Sequence, residues 1–213
     1  MLRSYSKELN YVHIPTFTGK ITMLPFDLAD AALKNIPTQF IDLVKKMISS
    51  LPELKGIAYL TIDGKKIIPG NSHRKPGIHI DGNFIPQGEN LSWKATGGGG
   101  WKVGNNGDNQ SKKEFEEAYL SKTGGMLITS TYPLCKGWNG EFDGKPEKGG
   151  NCSLFHLHPK LALNVQPDKG FLLKPNVVYY GTSQFVHQSL VTSKKVHRTL
   201  VRITLPHDYP PLI

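Results

Sequence analysis

The sequence predicts a mainly β chain with flanking helices, an α+β protein whose core is a sandwich, jelly roll or barrel. Three observations lead there. From residue 56 onward, short segments rich in β-branched and aromatic residues recur between turn residues. Twenty-two glycines and fifteen prolines supply the punctuation such a fold needs. Strong helical periodicity is confined to one stretch near the N-terminus.

That stretch is PTQFIDLVKKMISSL, residues 37–51, where Phe40, Leu43, Val44, Met47, Ile48 and Leu51 fall at helical spacing between Pro37 and Pro52. A shorter helix is expected over 28–35, so that residues 1–55 form a helical buttress for the sheets. GIAYLTIDGKKIIPG then reads as two short strands joined at Asp63-Gly64, a dipeptide suited to a tight hairpin. Further strands are expected at 77–81, 125–131, 153–159, 161–167, 170–175, 185–192 and 196–206, a number that implies a closed or two-layered β architecture.

Residues 88–150 differ in character. They hold 14 of the 22 glycines and all three tryptophans, Trp93, Trp101 and Trp138. Ser111 and Glu114 resemble a capping box that opens a short helix. The stretch is expected to be an insertion in a single 1–213 domain, with a core over 56–206. Its tryptophans would face substrate as a lid over the site.

Composition excludes several classes. At 213 residues the chain buries enough apolar surface to need no disulfide scaffold. Cys135 and Cys152 have neither zinc-knuckle nor Cys-x-x-Cys spacing and are expected as reduced thiols. No stretch reaches the about 18 apolar residues a helical span requires, and the first residues lack a signal-peptide apolar run, so the expectation is a cytoplasmic protein with no membrane partner. A net charge of +9 would attract phosphates, so nucleic acid is a possible partner, yet the lysines are scattered rather than set in a stripe.

The histidines carry the chemical information. In GIHIDGN, His79 and Asp81 are two apart, so on an extended strand both side chains point to one face and offer a nitrogen and an oxygen to one cation. His187 lies in FVHQSLVT, and the next strand, VHRTLVRITLP, carries Arg198 and Arg202. If Ser193-Lys194 is a two-residue hairpin loop, Ser189 opposes Arg198, and His187, Ser189, Arg198 and Arg202 share a face. Two histidines and one carboxylate on one side of a metal leave three positions open, as in non-haem Fe(II) oxygenases. A buried arginine could receive the carboxylate of a bound keto acid.

His156 and His158 form a second same-face pair without a nearby carboxylate, so they read as substrate-pocket residues rather than ligands. His197 should point away from Arg198's face. His13, His73 and His207 are expected in exposed loops.

The motifs His79-Ile80-Asp81, the run GFLLKPNVVYYGTSQFVHQS ending beyond His187, and the following arginine strand resemble the Fe(II)/2-oxoglutarate-dependent dioxygenases over roughly residues 57–206. That resemblance implies a double-stranded β-helix (jelly-roll) core. It also implies Fe(II) on His79, Asp81 and His187, with 2-oxoglutarate and O2 as cosubstrates. The activity implied is hydroxylation or oxidative demethylation of a protein side chain, a nucleobase or a small metabolite. The keto-acid arginine is Arg198 by hairpin register, with Arg202 the alternative, because Leu200 stands where many members have a serine. The other reading is a non-catalytic jelly-roll binding or structural module, possibly binding nucleic acid.

Overall fold

A computed structural model describes residues 2–74, 77–83, 119–142, 146, 152 and 169–212. The described residues are mainly β, and every strand pairing in them is antiparallel. The N-terminal part gives strands β1 (Leu2–Ser4), β2 (Ser6–Tyr11) and β3 (Gly19–Asp27), helix α1 (Ile41–Ile48) and strand β4 (Ile57–Ile67). The remainder gives β5 (Met126–Ser130), β6 (Cys135–Trp138), β7 (Gly140–Phe142), β8 (Phe171–Leu172), β9 (Val177–Gly181), β10 (Val186–Ser189) and β11 (Val196–Thr204). The larger sheet runs β2-β9-β5-β11-β4-β3, a smaller one β10-β6-β8, and β1 pairs with β7.

Strand β11 lies inside the larger sheet, hydrogen-bonded to both β4 and β5. Its period-2 alternation decides what each face carries. Val201 and Ile203 join Ala58, Leu60, Ile62, Leu127, Val178 and Tyr180 in one core. Arg198, Leu200 and Arg202 point to the other face, toward the smaller sheet. A second cluster, including Ile128, Tyr179 and Leu200 from the larger sheet and Cys135 and Phe185 from the other side, packs the two layers together.

Helix α1 covers the first core. An eight-residue helix is marginal in water on its own, so docking supplies its stability. Phe40, Leu43, Val44, Met47, Ile48 and Leu51, the predicted apolar stripe, are all buried there. Each such side chain contributes roughly 1.5–3 kcal/mol by leaving water. The first turn, Thr38–Phe40, is a 3-10 helix entered from Pro37.

Several expectations are corrected. Residues 28–35 are successive turns, not a helix: Asp27 and Asp30 carboxylates accept the amides of Ala29 and Ala32, and Leu33 has a φ of 49°. Such local side-chain bonds compete with the helical ladder. Residues 1–55 are therefore no helical buttress, since β2 and β3 form the two edges of the larger sheet. Pro25 is tolerated because β3 is an edge strand.

The expected hairpin at Asp63-Gly64 is absent. β4 runs straight through it, and Gly64 serves a close approach instead: a Cβ there would lie 2.0 Å from the Phe17 carbonyl oxygen. Ser193-Lys194 is no two-residue hairpin either. β10 and β11 belong to different sheets, and residues 190–195 cross between them, with Leu190 N–H donating to Leu134 and Thr192 N–H to Asn71.

The expected strand 77–81 contributes a single bridge, between His79 and His187. The later part of the expected insertion, 126–142, is three core strands. The expected strands at 153–159 and 161–167, the 88–118 part of the insertion and most of its capped helix lie outside the described residues.

Gly64→Ala is expected to destabilise the protein by about 1–3 kcal/mol, because the obstacle is backbone that cannot swing aside. Chemical denaturation checks this. A variant as stable as the wild type would contradict the straight β4.

Candidate metal centre

His79 and His187 are brought together by their backbones. Each donates its amide to the other's carbonyl at 2.9 Å, a reciprocal pair that sets both side chains on one face of the smaller sheet. Their rings sit 4.4 Å apart between centroids. Asp81, two residues beyond His79, brings its Oδ1 to 3.9 Å from His79 Nε2 and its Oδ2 to 3.8 Å from His187 Nε2. One ligand atom from each of the three lies within 4.8 Å of the others, an arrangement in which one cation can take all three.

The ring tautomers fit that role. His79 Nδ1 lies 2.8 Å from the Gly77 carbonyl and His187 Nδ1 2.9 Å from the Phe185 carbonyl. A carbonyl only accepts, so each Nδ1 donates a proton and Nε2 is the ring nitrogen turned toward a metal. Burial pushes the His187 imidazole down to about 4, and the neighbouring His79 adds to this, so the ring is neutral at pH 7. Burial alone would raise the Asp81 carboxyl, but Arg202, His187, His79 and Arg74 outweigh it and hold it below the usual carboxylate range.

The three residues open onto a cavity between the sheets. Thr61, Ile128, Arg198, Leu200 and Arg202 line it from the larger sheet, and Arg74, Leu134, Cys135 and Ser189 from the other side. His187, Ser189, Arg198 and Arg202, expected on one face of a hairpin, instead line one cavity from two facing layers.

The two arginines differ in their partners. Arg202 donates through Nη1 to Asp81 Oδ2. Arg198 is 1% exposed, and its Nε and Nη2 donate at 3.0 Å to the Tyr132 carbonyl and the Ser130 hydroxyl. Both acceptors are neutral. Burial depresses its guanidinium to about 10, still charged at neutral pH.

Trp138 is buried with Leu2, Ile80, Tyr119, Phe142, Cys152 and Val186, away from the cavity lining. Trp93, Trp101, His156 and His158 lie outside the described residues. Cys135 and Cys152 are both buried, and burial raises the Cys135 thiol to about 11. No helix among the described residues is long and apolar enough to cross a membrane.

His73 corrects an expectation of exposure: it is 2% exposed, with Nε2 3.4 Å from Asp63 Oδ1. Arg74 reaches Asp63 Oδ2 at 3.4 Å, and its amide donates to Ser189 Oγ. Sequence reasoning missed this group because Asp63 was assigned to a turn. Read as a strand residue, it would have shared the phase of Thr61.

Burial lowers the His73 pKa below its ordinary 6.5 despite the pull of Asp63. Burial would raise Asp63, but His73, Lys65 and Arg74 hold it at about 2. Two stability windows result. As pH falls below 6.5 the unfolded chain takes up protons on histidine that buried His73 and His187 refuse, and stability drops. As pH falls from 3.8 toward 2 the unfolded chain protonates its aspartate before Asp63 does, and stability drops again. His73→Gln is expected to reduce the loss of thermal stability between pH 7 and pH 5; an unchanged slope would contradict a neutral, buried His73.

Comparison with protein-family models, curated proteins and solved structures gave no match.

Proposed function

We propose that the chain is an Fe(II)- and 2-oxoglutarate-dependent oxygenase on a double-stranded β-helix. His79, Asp81 and His187 are its iron ligands, and Arg198 is the anchor for the far carboxylate of the keto acid. One observation carries this reading. A two-histidine, one-carboxylate group shares a cavity with a buried guanidinium that has no carboxylate partner among the described residues. Asp63 attracts this guanidinium without touching it, its direct acceptors are neutral, and an anionic ligand in the cavity would offset the cost of its burial.

The donor set fits Fe(II): two imidazoles and a carboxylate on one side of an ion leave positions for a chelating keto acid and for oxygen. When bound, the iron and the keto acid supply the oxidation, in which 2-oxoglutarate and O2 yield succinate and carbon dioxide while a substrate C–H bond is oxidised. The protein's own part is positioning. The Gly77 and Phe185 carbonyls fix the two imidazoles with Nε2 toward the cavity. Tyr132 and Ser130 hold two of Arg198's nitrogens, so its remaining donors are oriented in advance for a carboxylate. Ser189 accepts the Arg74 amide and keeps its own hydroxyl hydrogen for a ligand. Ile128, Leu134 and Leu200 give the cavity dry walls, which limit side reactions with water.

Purified protein loaded anaerobically with Fe(II) is expected to bind one equivalent and to release succinate from 2-oxoglutarate in air. Offering peptides, nucleic acids and small metabolites in parallel would identify the substrate class by stimulated release. His187→Ala should lose the stoichiometric iron site. Arg198→Ala should keep it and weaken 2-oxoglutarate binding by about 10- to 100-fold, the loss of a charge-assisted pair. Unchanged iron binding in His187→Ala would sink the metal assignment. Weakening by Arg202→Ala with none by Arg198→Ala would move the anchor to Arg202.

A further inference from the structure

We propose that Arg202 is a positioning residue for the metal centre. By occupying Oδ2 of Asp81 it leaves Oδ1 as the single carboxylate donor. The proposal rests on the metal reading above and extends it to a residue on the opposite sheet.

The geometry is specific. Asp81 belongs to the segment that bridges β10 through His79, whereas Arg202 projects from β11. β11 is a rigid base for it: Arg202 is paired through its backbone to Thr61 on β4 and to Ile128 on β5. Its Nη1 donates to Asp81 Oδ2, the oxygen 3.8 Å from His187 Nε2, while Oδ1, 3.9 Å from His79 Nε2, has no donor from Arg202. Both side chains are buried, so neither is free to exchange this partner for bulk water. A carboxylate with one oxygen held by a fixed guanidinium keeps one oxygen toward a metal and cannot rotate to chelate with both. Keeping Asp81 to one bond preserves the open positions on which the proposed chemistry depends.

Electrostatics alone argues the opposite way. A guanidinium beside a dication repels it, so if Arg202 acted only through its charge, removing it would tighten metal binding. If Arg202 positions Asp81, removing it loosens metal binding by the 10- to 100-fold typical of partners that orient a ligand. The sign of the change separates the two.

The test uses Co(II) as probe, titrated into the full-length wild type, Arg202→Met and Arg202→Lys, with affinity and the visible Co(II) absorption read together. Circular dichroism checks that each variant is folded. The expected result is a 10- to 100-fold weaker Co(II) site in Arg202→Met with an altered absorption spectrum. Arg202→Lys should recover part of the affinity, because an ammonium can donate to Oδ2 without the planar fork. Equal or tighter Co(II) binding with an unaltered spectrum in Arg202→Met overturns the proposal. Should that variant fail to fold, wild-type affinity and spectrum in Arg202→Lys overturn it instead, and weakened binding with an altered spectrum supports it. Failure of the wild type to bind Co(II) would remove the metal reading along with this inference, whereas normal binding of Co(II) and 2-oxoglutarate with an indifferent Arg202→Met would remove this inference alone.

Discussion

The buried ion pair between Asp81 and Arg202 is the contact on which the arrangement of the two sheets around the cavity turns. It joins a carboxylate carried by the smaller layer to a guanidinium carried by the larger one, with both side chains almost wholly removed from water. Desolvating two such groups is expensive, and the Coulomb energy regained within a protein interior offsets that cost only when the geometry is good. The pair therefore adds little net stability compared with apolar packing. It penalises any relative displacement of the layers, since a shift would strand two buried charges. The site residues inherit that precision, because Asp81 is two residues from His79, and His79 is fixed to His187 by two backbone hydrogen bonds.

Alternation along β11 makes this possible. One face of the strand carries Val201 and Ile203 into the core beneath α1, and the other carries Arg198, Leu200 and Arg202 into the cavity. A one-residue slip would drive both arginines into the apolar core and expose Val201 and Ile203 to the cavity. The pairings of β11 with β4 and β5 on its two sides hold it against such a slip. Stability and site formation are thus one constraint: the apolar face fixes the register, and the register delivers the charges.

The same physics explains how much of the site was legible. Strand phase depends only on spacing, so His79 with Asp81, and Arg198 with Arg202, could be assigned to common faces from the sequence. Partners across the cavity could not, because spacing does not tell which sheet a strand joins. Ser189 and Arg198 do meet the same cavity, but through a crossover at 190–195 that local turn chemistry at Ser193-Lys194 does not encode. Gly64 misled for a related reason. A glycine required for close approach to Phe17 has the same sequence signature as one required for a turn. His73 was misread because its burial comes from tertiary packing against Asp63 on β4, with no periodic signal in its own loop.

Charge has to be divided by location before it says anything about ligands. The net +9 of the chain is a sum over many lysines, and exposed ones such as Lys65, Lys66, Lys194 and Lys195 act on partners through solvent, where salt screens them. Arg198 and Arg202 contribute to the same total but act at short range inside a low-dielectric cavity. Arg202 is answered there by direct contact with Asp81, whereas Arg198 touches neutral oxygens and feels Asp63 only at longer range. The cavity consequently combines two kinds of group, a His79, Asp81 and His187 set able to hold a cation and an Arg198 guanidinium able to receive an anion. The keto acid proposed above carries both functions, a far carboxylate for the donors of Arg198 and chelating oxygens for a metal on His79, Asp81 and His187.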